Sequence, residues 1–226
     1  MSTDVNHLRL ILVGPPGVGK GTQSALLTSR LGLIPLSTGE IFRKEIEAQT
    51  DLGRLANRYI AHGELVPNGV TIEMMSKRLR ESEIRKCGFV LDGFPRTVKQ
   101  AVALEEILGE MELPLTKCVS LEVSDAIVVE RLSGRLGCTR CGEIYHSRTK
   151  APRREGLCDK CDSPLFVRSD DEPATILERL RVFREVTAPV VEYYEKHGLL
   201  QRVSTADGPE PTYAEIVGPL PLDATH

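Results

Sequence analysis

Residues 8 to 23, LRLILVGPPGVGKGTQ, constrain the chain more tightly than any other stretch. A short run rich in Leu, Ile and Val leads into a loop with glycines at 14, 17 and 19. Lys20 follows, then a segment of helical spacing that Gly32 ends. Gly14-x-x-x-x-Gly19-Lys20 between a buried strand and a helix is the pattern of a phosphate cradle. Glycines let backbone N–H groups turn toward phosphate oxygens, the helix start adds its positive dipole end, and the lysine neutralises the outer phosphates. Gly17, Val18, Gly19, Lys20, Gly21 and Thr22 are the candidate contacts. Gly21 stands where the common pattern has a Ser or Thr that holds magnesium, so another group must hold the metal.

Similar apolar runs recur at 33–37, 89–92, 118–123 and 199–203, with segments of helical spacing between them at 68–86, 97–109, 124–135 and 173–197. Buried strands alternating with helices predict an α/β fold, a P-loop three-layer arrangement around a five-stranded parallel sheet. Pro173 suits the first turn of the last helix. Two segments break the alternation: 38–67, helical and polar, and 131–168, rich in Cys, Arg and turn residues. We read them as inserts, leaving 1–37, 68–130 and 169–226 as the core. The Pro-containing tail, 219–226, is expected to be loosely ordered.

The net charge of -3 and the scarcity of aromatics, five Phe, five Tyr and no Trp, argue against a nucleic-acid binder. No apolar run reaches membrane-spanning length, and the start does not have the form of a signal peptide. With no export signal, the six cysteines are expected to be reduced, in the cytoplasm. Four of them form Cys138-x-x-Cys141 and Cys158-x-x-Cys161, two knuckles whose separation suits a four-thiolate metal site. Zn²⁺ fits this ligand set best, and four protein ligands make it structural. Cys87 and Cys118 are expected to be buried structural thiols. From Arg131 to Arg168 nine basic residues stand against four acidic ones; a basic flap over a polyphosphate is the economical reading. Within that segment His146 could stack on a nucleotide base, although a packed pair with Tyr145 is the simpler expectation.

Four segments in order, GPPGVGKGTQ, STGEIFR (37–43), LDGFPRT (91–97) and RSDD (168–171), resemble the signatures of the adenylate kinase family over about residues 8–213. The resemblance implies a monomeric enzyme that passes phosphate reversibly from MgATP to AMP. It makes 38–67 the AMP-binding insert and 131–168 a zinc-containing lid. It implies that Thr38, Gly39, Glu64, Val66, Gly93 and Gln100 contact AMP, with Gln100 reading the adenine edge. Arg43 and Arg96 are implied at the AMP phosphate, with Arg168 and Arg179 reaching the same site. Relatives selective for pyrimidine monophosphates tend to carry Ala in place of Thr38, so STG favours AMP. Asp92, ending a buried strand at the phosphate crevice, is implied to anchor magnesium-bound waters. Arg131 and Arg135, four apart, are expected on one helical face at the ATP phosphates. Lys20, Arg96, Arg131, Arg168 and Arg179 form the implied catalytic set, and Asp170 and Asp171 are implied to pair with arginines on lid closure. Three other readings stay open: a zinc-ribbon nucleic-acid binder, a P-loop switch without rapid turnover, and a kinase for another monophosphate or with GTP as donor.

Overall fold

The computed structural model describes residues 8–221. Five strands form one parallel sheet: β1 (Arg9–Val13), β2 (Ile34–Ser37), β3 (Phe89–Asp92), β4 (Lys117–Glu122) and β8 (Leu200–Ser204), in the order β2-β3-β1-β4-β8. β1 is central, and the chain crosses to β2 on one side before β3 and β4 flank it. That reversal opens a crevice beyond the carboxyl ends of the strands, where ligands of such sheets bind.

Strands buried on both faces need apolar side chains on both, and the pattern follows. Ile11 and Val13 pack with Leu36, Leu91, Met75, Leu104 and Tyr194 on one face, while Leu10 and Leu12 pack with Leu27, Val90, Val119 and Ile216 on the other. Three helices dominate the first face: α4 (Asn68–Leu79), α6 (Val98–Glu110) and α9 (Ala188–Lys196). The second is covered by α1 (Lys20–Leu31) and α10 (Pro209–Val217). Arg30 of α1 pairs with Glu210 and lies 4.5 Å over the Tyr213 ring, fastening α1 to α10.

Residues 38–67 contain α2 (Thr38–Glu47) and α3 (Asp51–Ile60), which pack on each other through Phe42 and Ala56. Ser37 and Thr50 cap these helices by accepting from Glu40 N–H and Gly53 N–H. After α7 (Asp125–Ser133) the second insert builds a small antiparallel sheet, β6-β5-β7, from β5 (Arg135–Cys138), β6 (Ile144–His146) and β7 (Leu165–Phe166). The helix expected over 173–197 begins as α8 (Pro173–Val182), with Pro173 in its first turn.

Several local expectations change. The 68–86 helix is two, α4 and α5 (Ser82–Cys87), because Glu81 is extended and the bend swings Ile84 into the core. The 173–197 helix contains a π-helical turn at Phe183–Thr187 before Pro189, which has no N–H to give the ladder. The 124–135 helix stops at Ser133, so Arg131 and Arg135 do not share a helical face. Cys118 is buried as expected, but Cys87 is only partly so. Leu220 is buried against the second core face, so the tail is anchored at least that far, and 222–226 lie outside the described residues.

Candidate active site

The loop after β1 takes positive φ at Gly14, Gly17 and Gly19 and delivers the chain to the start of α1. Lys20 folds back over it, donating from Nζ to the carbonyls of Gly14 (2.8 Å) and Pro15 (2.9 Å). Burial lowers the Lys20 pKa to about 8; Asp92 opposes the shift, while Arg96, Arg179 and Arg135 add to it. Asp92 sits at the end of β3 opposite Leu12 and Ser37. Its Oδ2 lies 3.9 Å from where a Cβ on Gly21 would stand, so this carboxylate borders the place a P-loop hydroxyl would occupy.

Past Asp92 the chain turns through Gly93 and the cis Phe94–Pro95 bond. Gly93 has φ 79°, and a Cβ there would meet Thr38 Oγ1 at 2.7 Å and Arg96 Nη2 at 2.8 Å. Only glycine fits. Its carbonyl accepts from Thr38 Oγ1 (2.9 Å) and from Arg96 Nε (2.8 Å), so one backbone atom fixes both side chains. The Arg43 guanidinium folds over Gly39. Together with Phe42, Glu64, Val66, Gln100, Asp170 and Arg179 these residues line a cleft with about 630 Å³ of open space. Thr38 and Gln100 are both 2% exposed.

The basic groups form one electrostatic unit. Lys20 feels Arg96, Arg179 and Arg135; Arg43 feels Arg135, Asp170 and Asp92; Arg168 feels Arg135, Arg43, Asp170 and Asp171. Burial is the leading cause that lowers the pKa of Arg43, Arg96 and Arg168, the last to about 10, and their mutual repulsion adds to it. Burial raises the Asp170 pKa, but Arg179, Arg135, Arg168 and Arg43 together outweigh that and hold it low. Asp171, its side chain fully buried, binds Arg135 at both oxygens (2.6 and 2.5 Å) and Arg179 at 3.0 Å. Arg179 also bonds the Asp170 carbonyl (2.8 Å) and carboxylate (3.0 Å). Six cations thus face three carboxylates at the strand ends. Arg168 Nε is buried with no hydrogen-bond partner among the described residues, a donor suited to an anion.

Arg131 stands apart. It donates to Val18 O (3.2 Å), Thr205 Oγ1 (3.1 Å) and Thr205 O (2.8 Å), tying α7 to the P-loop and to the loop after β8. His146 is buried, but not against Tyr145, because neighbours on a strand face opposite ways. Its Nδ1 accepts from Arg148 N–H and Thr149 N–H (both 3.2 Å), which leaves Nε2 to donate to Glu130 O at 3.1 Å. Base stacking is not the use the structure makes of it. Much of the second insert's basic surplus is paired locally: Lys150 and Lys160 with Glu143, Arg154 with Asp162, and Arg148 with Glu130.

The four cysteines do come together. The Sγ atoms of Cys138, Cys141, Cys158 and Cys161 all lie within 4.8 Å of one another, the 138–161 and 141–158 pairs at 3.4 and 3.5 Å. Four thiolates about 2.3 Å from a tetrahedral centre stand roughly 3.8 Å apart, so the cluster fits a metal such as Zn²⁺. The knuckles repeat one geometry: Cys138 N–H bonds Glu143 O, Cys158 N–H bonds Ser163 O, and the residues after the second cysteines, Gly142 and Asp162, both have positive φ.

Fold and site define a class, a P-loop α/β protein with a cationic crevice between a phosphate cradle and a second pocket. A family model described as Adenylate kinase matches residues 12–199. Similar proteins named adenylate kinase include one of Acidothermus cellulolyticus, 45% identical over 94% of this chain and 98% of the relative. One of Acetivibrio thermocellus is 40% identical over the same shares, and one of Salinispora tropica is 46% identical over 89% of this chain and 92% of the relative. The chain belongs to the adenylate kinase family.

Two groups that matter here were not anticipated. The Gly93 carbonyl is invisible to residue typing, and Asn68, whose Oδ1 accepts from Gln100 Nε2 at 2.9 Å, reads in sequence as an ordinary helix-start residue after GELVP.

Proposed function

We propose that this chain transfers the terminal phosphoryl group of MgATP reversibly to AMP, giving two ADP. The observation that carries the reading is the shared crevice: cations from the P-loop, from the 38–67 pocket and from the second insert feel one another's charge at the ends of β1 and β3. Phosphoryl transfer asks for such a setting, since charge spreads over equatorial oxygens and must be met by prearranged cations.

In this reading Gly17 to Thr22 cradle the ATP phosphates and Lys20 moves from its carbonyl partners onto them. Arg135 binds the same phosphates, and Arg131 holds the ATP end together through Val18 and Thr205. Thr38, Gly39, Glu64, Val66, Gly93 and Gln100 form the AMP pocket. Arg43 and Arg96 grip its phosphate, and Arg168 and Arg179 stand between the two nucleotides. The AMP phosphate oxygen is already a nucleophile at neutral pH, so no general base is assigned. Magnesium would neutralise charge on the ATP phosphates, with Asp92 holding its waters; the carboxylate's place beside Gly21 and Lys20 suits that role. Residues 38–67 and 131–168 act as mobile inserts on the core, and their closure excludes water. Asp170 and Asp171 are the hinge acids. The four cysteines hold Zn²⁺, which replaces a hydrophobic core in an insert whose buried cluster is little more than Cys138, Tyr145 and Cys158. We infer a cytoplasmic monomer with small-molecule partners only.

The test is a coupled assay across AMP, GMP, CMP and UMP with ATP or GTP as donor, with metal analysis of the same sample. AMP with ATP is expected to be at least ~100-fold better than the other acceptors, with one zinc per chain. No turnover of AMP would sink the reading, and a metal-free, fully folded sample would sink the zinc assignment.

A further inference from the structure

Gln100 lines the pocket with a buried amide, and an amide can read two opposite hydrogen-bond patterns by turning through 180°. Its neighbours remove that freedom. Arg96 N–H, which can only donate, lies 2.7 Å from one end of the amide, so that end must be Oε1. The other end, Nε2, then faces Asn68 at 2.9 Å, and Asn68 must present its own Oδ1. Thr97 completes the circuit. Its Oγ1 accepts from Gln100 N–H at 3.1 Å as the cap of α6, and its hydroxyl hydrogen goes to the same Asn68 Oδ1 at 3.2 Å. Oδ1 of Asn68 therefore collects two donors, and the polarity of the Gln100 amide is determined at both ends.

We propose that Asn68 is a positioning residue for base selection: together with the Arg96 N–H it locks Gln100 so that the pocket accepts a 6-amino purine edge and rejects a 6-oxo edge. The inference rests on the proposed binding of AMP in the 38–67 pocket. Once its two protein bonds are made, Gln100 keeps one N–H and one oxygen lone pair for a base. An adenine edge offers an acceptor, N1, beside a donor, the 6-amino group. A hypoxanthine edge offers the reverse, a donor at N1–H beside an acceptor at O6. A free amide would satisfy either by turning over, whereas a locked one leaves two donors and two acceptors opposed for the wrong base. Asn68 also opens α4 directly after the Glu64–Val66 wall, so the same residue registers Gln100 against the pocket's other side.

The test compares wild type with Asn68→Leu, of similar volume but without the acceptor, and with Asn68→Asp, which keeps it. Each is assayed with AMP and with inosine monophosphate at saturating ATP, and folding is checked by thermal melting. For Asn68→Leu the KM for AMP is expected to rise three- to tenfold with kcat within twofold, and the AMP-to-inosine-monophosphate ratio of kcat/KM to fall about tenfold. Asn68→Asp is expected to retain both values within about twofold. An unchanged ratio in Asn68→Leu, or equal losses in the two variants, overturns the proposal while the AMP kinase reading survives. Wild type without AMP turnover overturns both. If Asn68→Leu does not fold, Asn68→Ser and Thr97→Val serve in its place, and selectivity left intact in both refutes the lock.

Discussion

Lys20 carries a proton problem that its surroundings set up. Folding lowers its pKa from 10.5 to about 8, mainly through burial. Between those values the unfolded chain binds more protons than the folded one, so this lysine's contribution to stability rises as pH climbs from about 8 to about 10.5. A pKa of about 8 would leave a substantial share of Lys20 side chains neutral at pH 8. A polyphosphate in the cradle would favour the ammonium, so triphosphate binding at pH 8 is expected to take up about half a proton. Calorimetric titration in buffers of different ionisation enthalpy measures that number directly, and Lys20→Met should abolish it. Lys20→Ala should also reduce turnover ~100-fold or more, since a transition-state cation is lost. Uptake that is absent in wild type, or unchanged in Lys20→Met, would place the proton elsewhere.

At the scale of elements, the join between α7 and β5 decides how the second insert is seated. Gly134 has an unremarkable φ of -108°, yet a Cβ there would stand 2.3 Å from His146 Nε2. The ring needs that space to reach the Glu130 carbonyl at the end of α7. Gly134→Ala must push the imidazole off its acceptor, at a cost of about 1–3 kcal/mol. Expected results are a melting point lower by roughly 2–12 °C, faster amide exchange at Ile144–His146, and a raised KM for ATP. Exchange rates equal to wild type would refute the role of the His146–Glu130 contact in seating the insert. This join also marks the limit of what the chain discloses by pattern. The parallel strands, the P-loop and the cysteine knuckles were all legible, because each rests on local period or spacing. VERLSGRLG keeps helix-compatible spacing through Arg135, so its change to strand was not legible. The change is imposed by pairings distant in sequence, Leu136 with Tyr145 and Cys138 with Leu165. The same reasoning covers the site. Arg96 and Gln100 could be picked out by type and position, whereas Asn68 matters through hydrogen-bond polarity, which no spacing encodes.

Across the whole molecule, Asp171 ties the 131–168 segment to α8 and, through Arg179, to the pocket lined by α2 and α3. Its buried carboxylate binds Arg135 on the first strand of the second insert and Arg179 on α8, and Arg179 in turn lines the pocket beneath α2 and α3. Removing the charge while keeping the shape, Asp171→Asn, leaves Arg135 without its counter-ion and Arg179 with Asp170 alone, in a crevice already rich in cations. The cost of an uncompensated buried charge is about 3 kcal/mol, and for a chain of this size it lowers the melting point by roughly 6–12 °C. The kinetic consequence separates this role from a purely structural one. Arg135 belongs to the ATP side of the proposed reaction, and Arg179, between the nucleotides, lines the AMP pocket, so both KM values should rise together in two-substrate initial-rate measurements. A change confined to one pocket, such as Arg43→Ala, should move the AMP term alone. If Asp171→Asn shifts only one KM while the melt stays at the wild-type value, the carboxylate is not the junction, and coupling between the inserts must run through the Asp170–Arg179 contact instead.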